Sequence, residues 1–142
     1  MKKMNYKIIG RYIKQLTFNI PNPETFFLLS KNISNYKINI DIKSAQLKQN
    51  IIEVLTSLNL TPVKETSEKI ETKIVYSTVV ELNKENALKE ELEKIILIKI
   101  PTEIYPDLRQ IFVYLFEKSG FKDIKINKEV DFEKLYKIKK IQ

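Results

Sequence analysis

A chain of 142 residues is long enough for one domain with a substantial core. It contains no His, Cys or Trp and only two glycines, and its 25 Lys and Arg against 18 Asp and Glu give a net charge of +7. These absences exclude imidazole bases, thiolate nucleophiles, disulfides, nitrogen–sulfur zinc sites and glycine-rich phosphate loops, so binding or scaffolding is favoured over catalysis.

The basic start, Met1 to Lys7, is followed by only Ile8, Ile9 and Gly10 before Arg11, too little for the apolar region of a signal peptide. Residues 1–10 and 138–142 are expected to be flexible tails. Four stretches then alternate with period two, the pattern of strands with one buried and one wet face, hence an antiparallel sheet. In the first, Tyr12, Leu16, Phe18 and Ile20 share a parity with Lys14 as the exception, and Pro21-Asn22-Pro23 stops the strand. Residues 21–34 read as an irregular stretch whose Phe26, Phe27, Leu28 and Leu29 either pack under the sheet or edge an apolar groove. The second strand sets Tyr36, Ile38, Ile40 and Ile42 against Lys37, Asn39, Asp41 and Lys43. The third sets Ile52, Val54, Leu58 and Leu60 against Glu53, Ser57 and Asn59, and the fourth sets Ile70, Ile74, Tyr76, Val80 and Leu82 against Glu71, Lys73, Ser77 and Glu81.

After Leu82 the period becomes helical. Asn86 is the expected cap of a helix carrying Leu88, Leu92, Ile95 and Ile96, with Glu90, Glu91, Glu93 and Lys94 facing water and Pro101 as its breaker. A second helix is expected to begin between Thr102 and Pro106 and to end at Ser119-Gly120. Its core stripe is Leu108, Ile111, Phe112 and Leu115. Val113, Tyr114 and Phe116 fall outside that stripe, so the apolar arc exceeds half the circumference and a second subunit is the simplest cover. A last helix starts at an Asp131 cap and carries Phe132, Leu135 and Tyr136.

The charge of +7 attracts anionic partners in general. Only Arg11 and Arg109 are arginine, however, and the lysines are interleaved with Glu, which reads as a solvated surface; the one local excess is Lys134, Lys137, Lys139 and Lys140. The acids Glu90, Glu91, Glu93 and Asp41 make only a remote case for a carboxylate enzyme, and no apolar run approaches a membrane span.

Three motifs in order carry a family resemblance. Tyr12-Ile13-Lys14-Gln15-Leu16-Thr17-Phe18-Asn19-Ile20-Pro21-Asn22, then Ile100-Pro101-Thr102-Glu103-Ile104-Tyr105-Pro106-Asp107-Leu108-Arg109, then Gly120-Phe121 with Val130-Asp131-Phe132-Glu133-Lys134-Leu135-Tyr136, together resemble the SecB family of bacterial protein-export chaperones. The resemblance implies an α+β fold, a four-stranded antiparallel sheet with helices packed on one face, as a single domain over residues 1–142. It further implies an ATP-independent chaperone without cofactor or metal, and not an enzyme, which holds unfolded secretory preproteins in the cytoplasm for the SecA motor. The assembly implied is a homotetramer, a dimer of dimers, with no nucleic acid and no membrane insertion. Phe26, Phe27, Tyr36, Ile38, Ile40, Leu135 and Tyr136 are the expected peptide groove, and Leu108, Phe112, Val113 and Phe116 the expected oligomer interface. The SecA-facing sheet surface falls on Gln15, Asn19 and Lys73, where the family pattern is acidic and this chain is neutral or basic. A basic protein binding nucleic acid or another anionic surface, and a SecB-like chaperone of an antitoxin, stand as alternatives.

Overall fold

The computed structural model describes residues 6–32, 36–62, 70–83, 89–121 and 126–141. Strands β1 (Tyr6–Asn19), β2 (Tyr36–Lys48), β3 (Ile51–Pro62) and β4 (Glu71–Leu82) form one antiparallel sheet in the order β1-β4-β3-β2, so β1 and β2 are its edges. Alternation settles which face is buried. On β3 every second residue from Ile52 to Leu60 is buried, and the first four of these positions pair with Val80, Thr78, Tyr76 and Ile74 of β4 beneath the helices. Because β1 begins at Tyr6, five residues of the expected N-terminal tail belong to the sheet.

β1 departs from simple alternation. Its pairing with β4 skips from Ile8 to Gly10 and from Ile13 to Gln15, leaving Ile9 and Lys14 as the extra residues of two bulges. The second bulge reverses the parity: Tyr12 opposes Ser77 on the outer face, whereas Leu16 opposes Ile74 on the inner one. Tyr12 therefore does not share a side with Leu16 and Phe18. Lys14, the residue that broke the pattern in the sequence, is the one the strand bulges to accommodate.

Residues 21–34 are not an irregular stretch throughout, because Pro23–Asn32 form a helix, α1. Its start signal lies in the sequence: the Asn22 side chain accepts a hydrogen bond from the Thr25 N–H at 2.8 Å, and Pro23 and Glu24 occupy the first turn, where a missing N–H is harmless and a negative charge is favoured.

Pro101 does not break the helical region. Helix α2 (Lys89–Lys94) passes into a π-helical turn (Ile95–Lys99) and then into α3 (Ile100–Lys118). The Ile100 N–H reaches five residues back to the Ile95 carbonyl, and this wider turn accommodates the proline ring that a regular α ladder would drive against the carbonyl of Leu97. The Thr102 hydroxyl donates to the Ile98 carbonyl at 2.5 Å. Asn86 and Leu88 lie outside the described residues. Glu91 and Glu93 are half-buried rather than facing water.

The buried line of α3 runs Ile100, Ile104, Leu108, Phe112, Phe116. Steps of four residues overshoot a full turn by about 40°, so this line winds roughly 160° around the helix and makes much of its circumference apolar within one chain. Leu108, Phe112 and Phe116 are thereby committed to the protomer core, at 0%, 1% and 0% exposure. They cannot form the expected subunit interface. Phe116 packs on Phe18 at 5.0 Å and on Phe121 at 5.6 Å, while Val113 is half-buried and Tyr114 is 56% exposed. The helix ends at Ser119-Gly120 as expected: Gly120 takes φ +96°, and the Phe121 N–H returns to the Phe116 carbonyl at 3.0 Å. Helix α4 (Phe132–Ile141) begins at its expected cap, with the Lys134 N–H on Asp131 Oδ1 at 3.0 Å. The sequence 138–141 is thus helix rather than tail.

Candidate functional site

Edge strand β2 carries Tyr36, Ile38, Ile40 and Ile42 on its inner face, a line of about 20 Å at strand rise. Tyr36 is buried in the core, whereas Ile38, Ile40 and Ile42 remain half-buried because, among the described residues, no further strand covers this side of the sheet. Beside them the π turn and α4 close a cleft of about 240 Å³ lined by Ile40, Asp41, Ile42, Leu97, Phe132, Leu135 and Tyr136. A space of that size admits one large apolar side chain. An aromatic anchor burying 150–250 Å² is worth about 4–6 kcal/mol at ~25 cal/mol per Å², before the cost of ordering an extended chain. One cleft therefore grips weakly, and tight capture of a long segment requires several contacts.

Tyr105 and Arg109, one turn apart on α3, fix the segment that leads into α4. Tyr105 donates its hydroxyl to the Asn127 carbonyl at 2.7 Å, and Arg109 places both Nε and Nη2 3.1 Å from the Ile126 carbonyl. Burial pushes the Tyr105 phenol above its ordinary pKa, with the Arg109 charge acting against that rise. The same tyrosine ring meets Phe132 edge-on at 6.0 Å. Further along, Tyr136 is buried and donates its hydroxyl to Glu93 Oε2 at 3.1 Å, holding α4 against α2. Leu135 projects outward beside the cleft and is 49% exposed.

The expected groove is thus assembled in part. Ile40, Leu135 and Tyr136 come together, and Ile38 shares their strand face. Tyr36 belongs to the core. Phe26 lies on α1 against Phe121 at 4.9 Å and Phe27 at 5.4 Å, and Phe27 is 63% exposed, so these two form a separate aromatic edge outside the cleft lining. The sequence reading missed Ile42, Leu97 and Phe132 as lining residues. Ile42 was reachable, since it continues the parity of Ile38 and Ile40; Leu97 was not, because its direction depends on the π turn.

On the outer face of the sheet, Gln15 opposes Val75, Thr17 opposes Lys73 and Asn19 opposes Glu71, so Gln15, Asn19 and Lys73 do share one surface. Toward the other end of the same face, two residues into β3, stands an acid. Glu53 accepts from the Ser77 hydroxyl at 2.7 Å, from Tyr12 at 3.4 Å and from the Lys14 ammonium at 3.5 Å. The Ser77 hydrogen bond, aided by the Lys14 charge and opposed by partial desolvation, holds its carboxyl below the usual range.

Among the described residues no group of three or more acidic side chains is placed to hold a metal, and no helix is long and apolar enough to cross a membrane. The family model described as preprotein translocase subunit SecB matches residues 1–142. A putative protein-export protein SecB of Pelagibacter ubique is 43% identical over 133 residues, covering 94% of this chain and 95% of the relative. The protein-export protein SecB of Anaplasma marginale is 27% identical over 141 residues, covering 92% and 79%. Among solved structures, a Mycobacterium tuberculosis SecB-like chaperone in complex with an antitoxin peptide superposes with a TM-score of 0.60 over 88% of each chain at 10% identity, a likeness of fold. An antiparallel sheet with an uncovered apolar edge strand, a helix closing a cleft beside it and a whole-length family match lead to one conclusion: the chain belongs to the SecB family of preprotein-binding export chaperones.

Proposed function

We propose that this chain is a single-domain, ATP-independent holding chaperone of the cytoplasm, without enzymatic activity, which binds unfolded preproteins along β2 and passes them to SecA. The observation that carries the reading is the half-buried line Ile38, Ile40 and Ile42 opening onto the cleft under α4. An unfolded segment can bury its apolar side chains there in short pieces, with the sequence hardly read. The aromatic edge of Phe26 and Phe27 supplies a second contact for the same segment.

The protomers assemble as a homotetramer, a dimer of dimers, and the strip where β1 runs beside α3 is the assembly face. It lies between the Arg11–Asp107 ion pair at 3.3 Å and the Phe18–Phe116 contact, and it leaves Ile13, Leu16 and Tyr114 43%, 48% and 56% exposed. Repetition of the grooves then supplies the additional contacts that one cleft lacks. The SecA-facing surface is the outer sheet face at Gln15, Asn19 and Lys73. With amides and a lysine there in place of acids, the contact gains little from opposite charge and depends weakly on salt.

Preproteins are favoured over an antitoxin as client because the 43%-identical relative is named for protein export, whereas the relative holding an antitoxin peptide shares 10% identity. A refolding-arrest assay with a slowly folding precursor, run with and without SecA, tests the function. Arrest by the chaperone and release on adding SecA with ATP is the expected result. Refolding at the uncatalysed rate overturns the reading, and arrest without release overturns its SecA half.

A further inference from the structure

We propose that an unfolded client pairs through its backbone with the free edge of β2, adding a fifth strand to the sheet; this rests on the chaperone reading and specifies what the groove grips besides side chains. In an antiparallel pair, alternate residues turn their N–H and C=O toward the neighbour and the residues between turn theirs away. On β3 the even-numbered residues turn to β4: the Leu60 N–H reaches Thr72 Oγ1 at 3.3 Å, and at the preceding turn the Asn50 carbonyl accepts from the Leu82 N–H at 2.7 Å. The odd-numbered residues of β3 therefore bond to β2, where their partners are Lys37, Asn39, Asp41 and Lys43. The Ser57 hydroxyl donates to the Asp41 carbonyl at 3.3 Å, which agrees with that carbonyl pointing toward β3. What remains for the open edge is the backbone of Ile38, Ile40 and Ile42, an N–H and a C=O from each over about 14 Å, and among the described residues no strand pairs with them.

The cleft opens on that edge. Ile40 and Ile42 point to the inner face and Asp41 to the outer one, yet all three line the same cleft, so its space wraps the strand at the backbone between them. The edge is also straight. β2 pairs with β3 without a bulge from Tyr36 to Gln46, whereas β1, the other edge, is bulged twice, a device that interrupts pairing with a further strand. The isoleucines that offer the free backbone groups are those of the half-buried apolar row, so one extended segment meets both at once. The occupant this selects is a chain with unspent N–H and C=O groups. An unfolded segment has them, whereas within its folded protein the same segment has paired them, and backbone pairing reads almost no sequence.

Hydrogen exchange resolved by residue in the full-length protein tests the pairing. In the free protein, exchange should alternate along β2, slow at the amides of Asn39 and Asp41 and fast at those of Ile38, Ile40 and Ile42. Saturation with a permanently unfolded precursor segment should slow the three isoleucine amides by roughly tenfold or more. N-methylation of that segment, one residue at a time around its aromatic anchor, should weaken binding by about three- to tenfold at alternate residues and by less than about twofold between them. Isoleucine amides that stay fast in the saturated complex, or N-methyl effects without a two-residue period, overturn the proposal, and if refolding is still arrested the chaperone reading stands. Isoleucine amides already slow in dilute free protein overturn it as well, and slowing that grows with protein concentration assigns the edge to a second copy instead. Failure both to bind the segment and to arrest refolding overturns the chaperone reading, and the proposal with it.

Discussion

Ile40→Asp is the sharpest test of the groove. Ile40 sits on the inner face of β2 opposite the fully buried Leu58, is itself half-buried, and lines the cleft with Leu135 and Tyr136. Full burial of an isoleucine is worth about 1.5–3 kcal/mol. Roughly half of that is realised in the protein alone, so the variant should lose about 1 kcal/mol of folding stability and remain folded. A docked client covers the remainder and must desolvate the new carboxylate, which stands next to Asp41. A total loss of about 1.5–3 kcal/mol in client binding corresponds to roughly 10- to 150-fold in affinity at 1.4 kcal/mol per decade. The assay is titration of a fluorescent, permanently unfolded precursor segment, with circular dichroism to verify the fold. Lys37→Asp, on the exposed opposite face of the same strand, changes charge without touching the cleft and should leave affinity within about twofold. Equal affinities for wild type and Ile40→Asp, or equal losses in the two variants, would refute the placement.

Three further outcomes follow from the geometry. Arg109→Lys removes the paired contact with the Ile126 carbonyl and should cost about 1.5–3 kcal/mol, seen as faster hydrogen exchange in α4 with β3 unaffected; unchanged protection of α4 would show that Arg109 does not position it. Gly120→Ala places a Cβ 3.2 Å from the Phe26 ring at φ +96°, a strain of about 1–2 kcal/mol, and should lower the thermal midpoint by several degrees; an unshifted midpoint counts against strain at that cap. Glu53 has a folded pKa below its unfolded value, so its contribution is present above the unfolded pKa and is lost as pH falls through the folded one. Denaturant titrations of wild type and Glu53→Gln should therefore differ at pH 6 and converge toward pH 3, and a constant difference would exclude the mechanism.

The sheet was legible because β2, β3 and β4 show a period of two through their apolar stretches, and β3 keeps it strictly from Ile52 to Leu60. β1 misled because one inserted residue, Lys14, reverses every side chain beyond it, and a bulge has no mark in the sequence other than a polar residue in an apolar position. Helix α1 was legible in principle through Asn22-Pro23-Glu24, but its four successive apolar residues hid the helical period. The Pro101 break failed for a different reason: the π turn is a tertiary solution, packed between β2 and α4, and nothing in the residues 95–99 announces it. The same limit applies to the interface residues. A helical wheel assumes one straight buried stripe, whereas the four-residue steps from Ile100 to Phe116 carry burial around the axis and use up Leu108, Phe112 and Phe116 inside one protomer.

The π turn makes the cleft sensitive to chain length. It fits one more residue than an α turn into the same revolution, so deleting a single residue between Ile95 and Lys99 leaves α2 and α3 in phase but removes the wider turn and forces the Pro101 ring against the carbonyl four residues before it. Glu93 can keep its bond to Tyr136, whereas Leu97, carried by the turn itself, loses its place in the cleft wall. At this point in the chain, an insertion or deletion changes the wall of the cleft, while substitutions of the turn residues other than Leu97 change packing alone.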